Sequence, residues 1–274
     1  MKPKWLLTIR GQVPRTAAIV LGLVPIAILL VLWWVMTQGA NNDERRIPST
    51  IMPSPGEVVQ AARDLTSPRE GERGLFSHIG ISLQRVALGY LLAIAVVLPL
   101  GIFMGSFASI RAVFSPMSTA SGYIPIATLV PLTMSWFGID EWQKLIFLAM
   151  AFGIYLLPLV INAIDGVPDV YLRTSYTLGA NRLQVIRRVL IPIALPTIWQ
   201  GMRLAFGVGW TYLVLAEVVV KDGGLGDLID TARRRGLPGR VWLAIIVITL
   251  IAWVADLGWN YLGKLLFPYR SFRA

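Results

Sequence analysis

Cysteine is absent from this 274-residue chain, and histidine occurs once, at His78. The first absence removes disulfide frameworks, thiolate metal sites and cysteine nucleophiles. The second leaves no histidine cluster for zinc or for a hydrolytic triad, so His78 is read as a structural or interfacial residue. Charged residues make up only 15%, and acids are scarcer than bases, 15 against 25. The net charge of +10 sits on no compact basic domain, which argues against nucleic acid as a partner. No GxxxxGK[ST] loop occurs, so the chain does not hold ATP in the usual way, and the glycines of DGGLGD (222–227) follow no strand. There is no internal repeat, direct or inverted, of the kind a self-contained secondary transporter or channel would carry. Nor do His, Asp and Glu cluster as a membrane enzyme would need.

What the chain has in abundance is apolar length. Hydrophobic residues make up 55%, and several runs approach the roughly 20 residues that cross a bilayer core of about 30 Å. Six spans are expected, at residues 17–36, 86–106, 114–137, 144–164, 196–220 and 241–263, making an all-α polytopic membrane protein. The third contains Pro116, Pro125 and Pro131, so irregular backbone is expected there, covered by protein or lining a water-filled cavity. Residues 1–16 carry Lys2, Lys4, Arg10 and Arg15 without an acid and read as a basic interfacial segment. The apolar stretch that follows is too long for a signal core and reads as the first span. With the N-terminus inside, bases divide evenly, 12 to each side, while acids number 2 inside against 11 outside. The basic N-terminus and the basic loop at 167–195 decide the orientation, leaving a cytoplasmic tail at 265–274. The Arg233-Arg234-Arg235 run fits that orientation least well.

Between the spans, Ser54-Pro55-Gly56-Glu57 spells a capping box, and Val58, Val59, Ala62 and Leu65 make a short amphipathic face. A second amphipathic stretch, 75–85, leads into the second span. The interval 167–195 is the long polar stretch that also reads as well-formed helix. Pro168 and Asp169 suit a helix start, Gly179 a left-handed stop, and Asn181 with Gln184 a second capping box. The second helix carries Arg182, Arg187 and Arg188 and meets Pro192 and Pro196 as the chain turns apolar. A short helix, a glycine turn and a basic helix between two spans suit docking to a cytosolic partner, the plainer reading being an ordinary helical loop. Three ionisable residues, Arg203, Glu217 and Asp256, stand out in or near spans, where charge is expensive. Arg203 either pairs helices or favours an anion near the pathway, Glu217 either tethers the 222–229 loop or lines the pathway mouth, and Asp256 pairs within the bundle.

TLGAN followed by IPIALP resembles the EAA loop of ATP-binding-cassette importer permeases. Gly179 takes the glycine position, with Ile193, Leu195 and Pro196 closing the motif, but Arg173, Thr174 and Ser175 stand where Glu-Ala-Ala is typical. MPSPGEVV, WFGIDEWQKL (136–145), GMRLAFGVGWTYLVLAEVV (201–219) and GLGDLI (224–229) are similar to segments of the nitrate, sulfonate, taurine and bicarbonate permeases. In the third span Ile126 and Leu129 replace that branch's second proline and tryptophan. The resemblance covers residues 52–263 and implies a type I importer permease fold with a cytoplasmic coupling helix. It implies an ATPase-docking loop at Arg173, Thr174, Ser175, Leu178, Gly179, Ala180 and Arg182. It also suggests a substrate pathway near Pro125, Thr128, Pro131, Met134, Arg203, Trp210 and Glu217. The implied partners are a second copy of the chain, two ATPase subunits carrying ATP and magnesium, a periplasmic or lipid-anchored solute-binding protein, and lipid of a bacterial inner membrane. The implied cargo is a small oxyanion, with a vitamin precursor or aromatic acid as the alternative, and no catalysis by this chain.

Overall fold

The computed structural model describes residues 13–39, 45–68, 71–219 and 222–269. Residues 1–12 of the expected basic segment and 270–274 of the expected tail therefore lie outside the described residues. The described chain is helical throughout, with no strand among the described residues: α1 (Arg15–Met36), α2 (Pro55–Thr66), α3 (Leu75–Ser106), α4 (Ala108–Ser121), a 3-10 turn (Ile126–Thr128), α5 (Leu129–Phe137), α6 (Glu141–Asp165), α7 (Asp169–Thr177), α8 (Arg182–Val185), a π turn (Ile186–Leu190), α9 (Ile191–Val219), α10 (Leu225–Arg234) and α11 (Pro238–Leu266). It divides into two compact units, residues 1–64 with 232–243 and residues 65–231 with 244–274.

In the smaller unit α1 is apolar all round and buries none of its residues, the pattern of a helix whose solvent is lipid. Just beyond its last turn the chain folds back: Trp33 Nε1 donates to the Pro53 carbonyl at 2.9 Å, and its ring stacks on Trp242 at 5.5 Å. The capping box at the start of α2 forms, with Ser54 N–H donating to Glu57 Oε2 at 2.7 Å and Glu57 N–H to Ser54 Oγ at 3.3 Å. Its buried face is Val58, Ala61 and Leu65; Val59, expected inside, is exposed because the i, i+3, i+7 row lies a step away from it.

The larger unit is built on α3, α6 and α9. Along α3, Gly89, Ala93, Val97, Gly101 and Gly105 recur every four residues and so share one face. A Cβ on Gly89 would stand 2.8 Å from Leu148 Cβ, one on Gly101 2.7 Å from Val160, and one on Gly105 2.7 Å from Ile164 Cβ. These glycines let α3 and α6 approach closely, and in lipid such packing stands in for the hydrophobic drive that water would supply. Across from them, a Cβ on Gly209 of α9 would overlap the Phe152 ring at 1.7 Å. Tyr90 meets Phe152, Phe206 and Trp259 edge-on at 4.9, 5.0 and 6.0 Å and donates its hydroxyl to the Met202 carbonyl at 2.7 Å. An aromatic knot thus ties α3, α6, α9 and α11 together.

The expected spans map onto helices with two corrections. Five helices are long and apolar enough to cross a membrane, while the third expected span, 114–137, is not one helix. Pro116 sits inside α4 without ending it; the chain leaves helical geometry after Ser121 and resumes through the 3-10 turn, with Pro131 accommodated in the first turn of α5. The second correction concerns Pro192 and Pro196, read as marking a separate span at 196–220. Instead α8, the π turn and α9 form one apolar helix from Arg182 to Val219. The widened π turn ends two residues before Pro192, where a proline ring would otherwise collide with the carbonyl four residues back. Likewise the 75–85 stretch and the second span are a single helix, α3.

Candidate functional site

The loop leaving α6 is fixed at each end by its own sequence. Arg111 Nη1 pairs with Asp165 at 2.7 Å, holding the start of α4 to the end of α6 just before the loop begins. α7 stops at Thr177, and Gly179 takes φ +79°. Gly179 N–H then reaches the Tyr176 carbonyl and Ala180 N–H the Ser175 carbonyl, both at 3.0 Å, which is the Schellman arrangement. Asn181 and Gln184 complete the reciprocal box at 2.9 Å in each direction. Underneath, Leu172 and Ala180 pack against Val167, Val185, Ile186 and Leu190. Outward, Leu178 is 82% exposed, flanked by exposed Val170, Tyr171, Tyr176 and Leu183. Thr174 and the guanidinium-bearing residues Arg173, Arg182, Arg187 and Arg188 are exposed as well, and Ser175 is half-buried.

At the other end of α6, Arg85, Lys144 and Glu217 are buried, and Glu141 closes the cluster from the exposed rim. Arg85 Nη1 donates to Glu217 Oε1 at 3.0 Å and to the Gly223 carbonyl at 2.6 Å. Its Nε and Nη2 form a fork on Glu141 at 2.9 and 2.5 Å. Glu141 also takes Lys144 Nζ at 2.6 Å. Glu217, fully buried, accepts Ser82 Oγ at 2.8 Å and Gly226 N–H at 2.8 Å. His78 Nδ1 lies 2.8 Å from the Gly224 carbonyl, the structural role expected of it. Two cations meet two carboxylates, so the cluster is neutral, and every partner is needed: a buried charge left alone costs several kcal/mol. The glycines of DGGLGD serve this cluster. A Cβ on Gly224 (φ +104°) would stand 2.3 Å from Glu217 Oε1, and one on Gly226 2.7 Å from Glu217 Cβ. Of the two readings left open for Glu217, the geometry gives the tether.

The remaining pathway residues do not converge on one spot. Pro125 and Thr128 are exposed at the break before α5, with Thr128 Oγ1 bonded to the Pro125 carbonyl at 2.7 Å; Pro131 is exposed and Met134 half-buried on the core. Arg203 Nη2 and Nε hold Asp256 at 2.7 and 2.5 Å, and Nη1 holds Asn260 at 2.5 Å, joining α9 to α11. Trp210 is buried, edge-on to Phe206 at 6.0 Å. Arg203, Trp210 and Glu217 follow one another every seventh residue, so they share a face of α9 at intervals of about 10 Å. Arg85, Ser82 and Lys144 were not among the sequence-derived site residues, although Arg85 adjoins one expected span and Lys144 opens another, where an ionisable residue asks for a partner. Among the described residues, no group of three or more His, Asp or Glu is placed to hold a metal ion.

Among the described residues, five long apolar helices, three of them packed through glycines, fit a multi-pass membrane protein. Residues 97–267 match the family of binding-protein-dependent transport system inner membrane components, and the chain belongs to that family. It is 30% identical over 262 residues to the taurine transport system permease protein TauC of Escherichia coli strain K12, covering 94% of this chain and 92% of that one. To the nitrate import permease protein NrtB of Leptolyngbya laminosa it is 30% identical over 252 residues, covering 89% of this chain and 84% of that one. Its fold is similar to an inward-facing conformation of the MetNI methionine ABC transporter, with a TM-score of 0.62 at 17% identity, covering 70% of this chain and 96% of that one. The chain is thus the permease component of an ATP-binding-cassette importer, a class that works with an ATPase and a substrate-binding protein.

Proposed function

We propose that this chain forms the membrane pathway of an importer for a small oxyanion, such as a sulfonate or taurine, nitrate or bicarbonate. Two relatives named for taurine and nitrate, each at 30% identity, support that cargo class. Two copies of the chain would sit in a bacterial inner membrane with both termini cytoplasmic, each docking an ATPase subunit through residues 167–195. ATP and magnesium belong to those subunits, so hydrolysis is theirs, and a periplasmic or lipid-anchored binding protein delivers the cargo. ATPase closure moves α7, and the spans re-open to the other side past Pro125, Thr128, Pro131 and Met134 and the face of α9 that carries Arg203 and Trp210, while Glu217 on the same face tethers the 222–226 loop. Such a change is driven only by differential affinity for the two states.

The observation that carries the docking reading is the α7–Gly179–α8 unit, locked beneath by packing and presenting Leu178 outward. Gly179→Glu places a bulky charge on a left-handed turn in that surface and is expected to abolish co-purification with the ATPase; unchanged association would reject the docking role. For the cargo, Arg203→Ala is expected to lower uptake of a sulfonate or nitrate in reconstituted vesicles while assembly persists; an unaltered rate leaves Arg203 as a helix clamp to Asp256. The vitamin-precursor or aromatic-acid alternative leaned on Ile126 and Leu129, but both are buried in the bundle core, so the oxyanion reading is preferred.

A further inference from the structure

The charge on the loop carries information about the surface it meets. Arg173 on α7, Arg182 on α8 and Arg187 and Arg188 on the π turn are all exposed, and among the described residues none of the four forms an ion pair. The two acids of this end offer them nothing: Asp165 is held by Arg111, and Asp169 stands in the first turn of α7, where it complements the helix dipole. Asn181, Leu183, Gln184, Arg187 and Arg188 line a notch of about 330 Å³, large enough for a carboxylate side chain to enter between two guanidiniums. Leu178 projects from the turn as an apolar knob, the most exposed of a group with Val170, Tyr171, Tyr176 and Leu183. Four like charges around such a knob repel each other and are stabilised by a partner of opposite sign.

We propose that the ATPase subunit serving this permease presents an acidic groove: an apolar socket for Leu178, one carboxylate facing the Arg187–Arg188 notch, and another facing Arg173. The inference rests on the docking role proposed above and adds to it the sign of the partner's surface. Docking is therefore electrostatically steered and salt-sensitive, and an ATPase with a basic or neutral groove is rejected by this loop.

The test measures binding of the ATPase subunit of the same transporter to the full permease in phosphatidylcholine nanodiscs. Arg173→Glu, and the pair Arg187→Glu with Arg188→Glu, should each weaken binding by about tenfold or more at low salt, a gap that narrows as salt screens the charges. Arg173→Gln should fall between, and a Glu→Lys or Asp→Lys change in the ATPase groove should restore binding to the Arg173→Glu permease. Gly179→Glu serves as the control for docking itself. Loss with Gly179→Glu but wild-type binding by all the arginine variants would overturn the acidic groove and leave the dock standing. Wild-type binding by every variant would overturn both. Arginine variants that keep the ATPase but lose binding to phosphatidylglycerol vesicles would assign the charge to lipid and overturn the proposal.

Discussion

The two ends of α6, separated by about 36 Å of helix, put arginine to opposite use. At its start Arg85 is 3% exposed and spends every donor nitrogen on carboxylates and loop carbonyls, so that three helices and the 222–226 loop close around it. Beyond its end, Arg173, Arg182, Arg187 and Arg188 stand in the open on a loop whose apolar underside is already packed. The difference teaches where each end gets its definition. The first is self-sufficient, its charges cancelled inside the chain. The second is folded by caps and packing alone, and among the described residues its arginines form no ion pair.

That contrast is open to breakage, most severely at Arg85. Arg85→Ala leaves Glu217 buried without its cation and should destabilise the purified permease by roughly 3–5 kcal/mol, whereas Arg187→Ala should stay within about 0.5 kcal/mol. Thermal unfolding in detergent compares them, and equal effects would erase the distinction. A smaller effect separates two left-handed glycines. Gly179→Ala meets nothing within 4 Å and should cost only the backbone strain of about 1 kcal/mol. Gly224→Ala drives a methyl onto the Glu217 carboxylate and should cost about 2–4 kcal/mol, read in the same melts. The smallest effect is at Glu57. Burial raises its pKa, but the Ser54 amide and the Arg45 guanidinium outweigh burial and hold it below the ordinary glutamate value. Its contribution is therefore full at neutral pH and fades only as pH falls through that lowered value. A melt series descending from neutral pH should show the loss in wild type and not in Glu57→Gln.

Much of the loop was legible in the sequence because its signals are local. Pro168 and Asp169 start α7, Gly179 ends it, and Asn181 with Gln184 opens α8, all within a few residues of the bonds they make. The same holds for Ser54 and Glu57. The buried cluster was not legible, because Arg85 finds Glu141 56 positions on and Glu217 132 positions on. No periodicity reports a pairing at that range. The Gly89–Gly105 spacing was in plain view, yet inside a long apolar run it reads as span rather than as an interface. Pro192 misled in the other direction: read as marking a boundary, it is absorbed by the π turn.

That absorbed proline changes what a shove on the loop accomplishes. From Arg182 to Val219 the chain is a single shaft of about 57 Å, without a slack connector between the two ends contrasted above. Its near tip bears the open arginines, and its far tip bears Glu217, seated in the neutral cluster. A continuous helix of this kind can carry a push from one tip to the other, with the π turn and Pro196 as the places where it can yield. The basic tip and the buried cluster therefore sit at opposite ends of one helix.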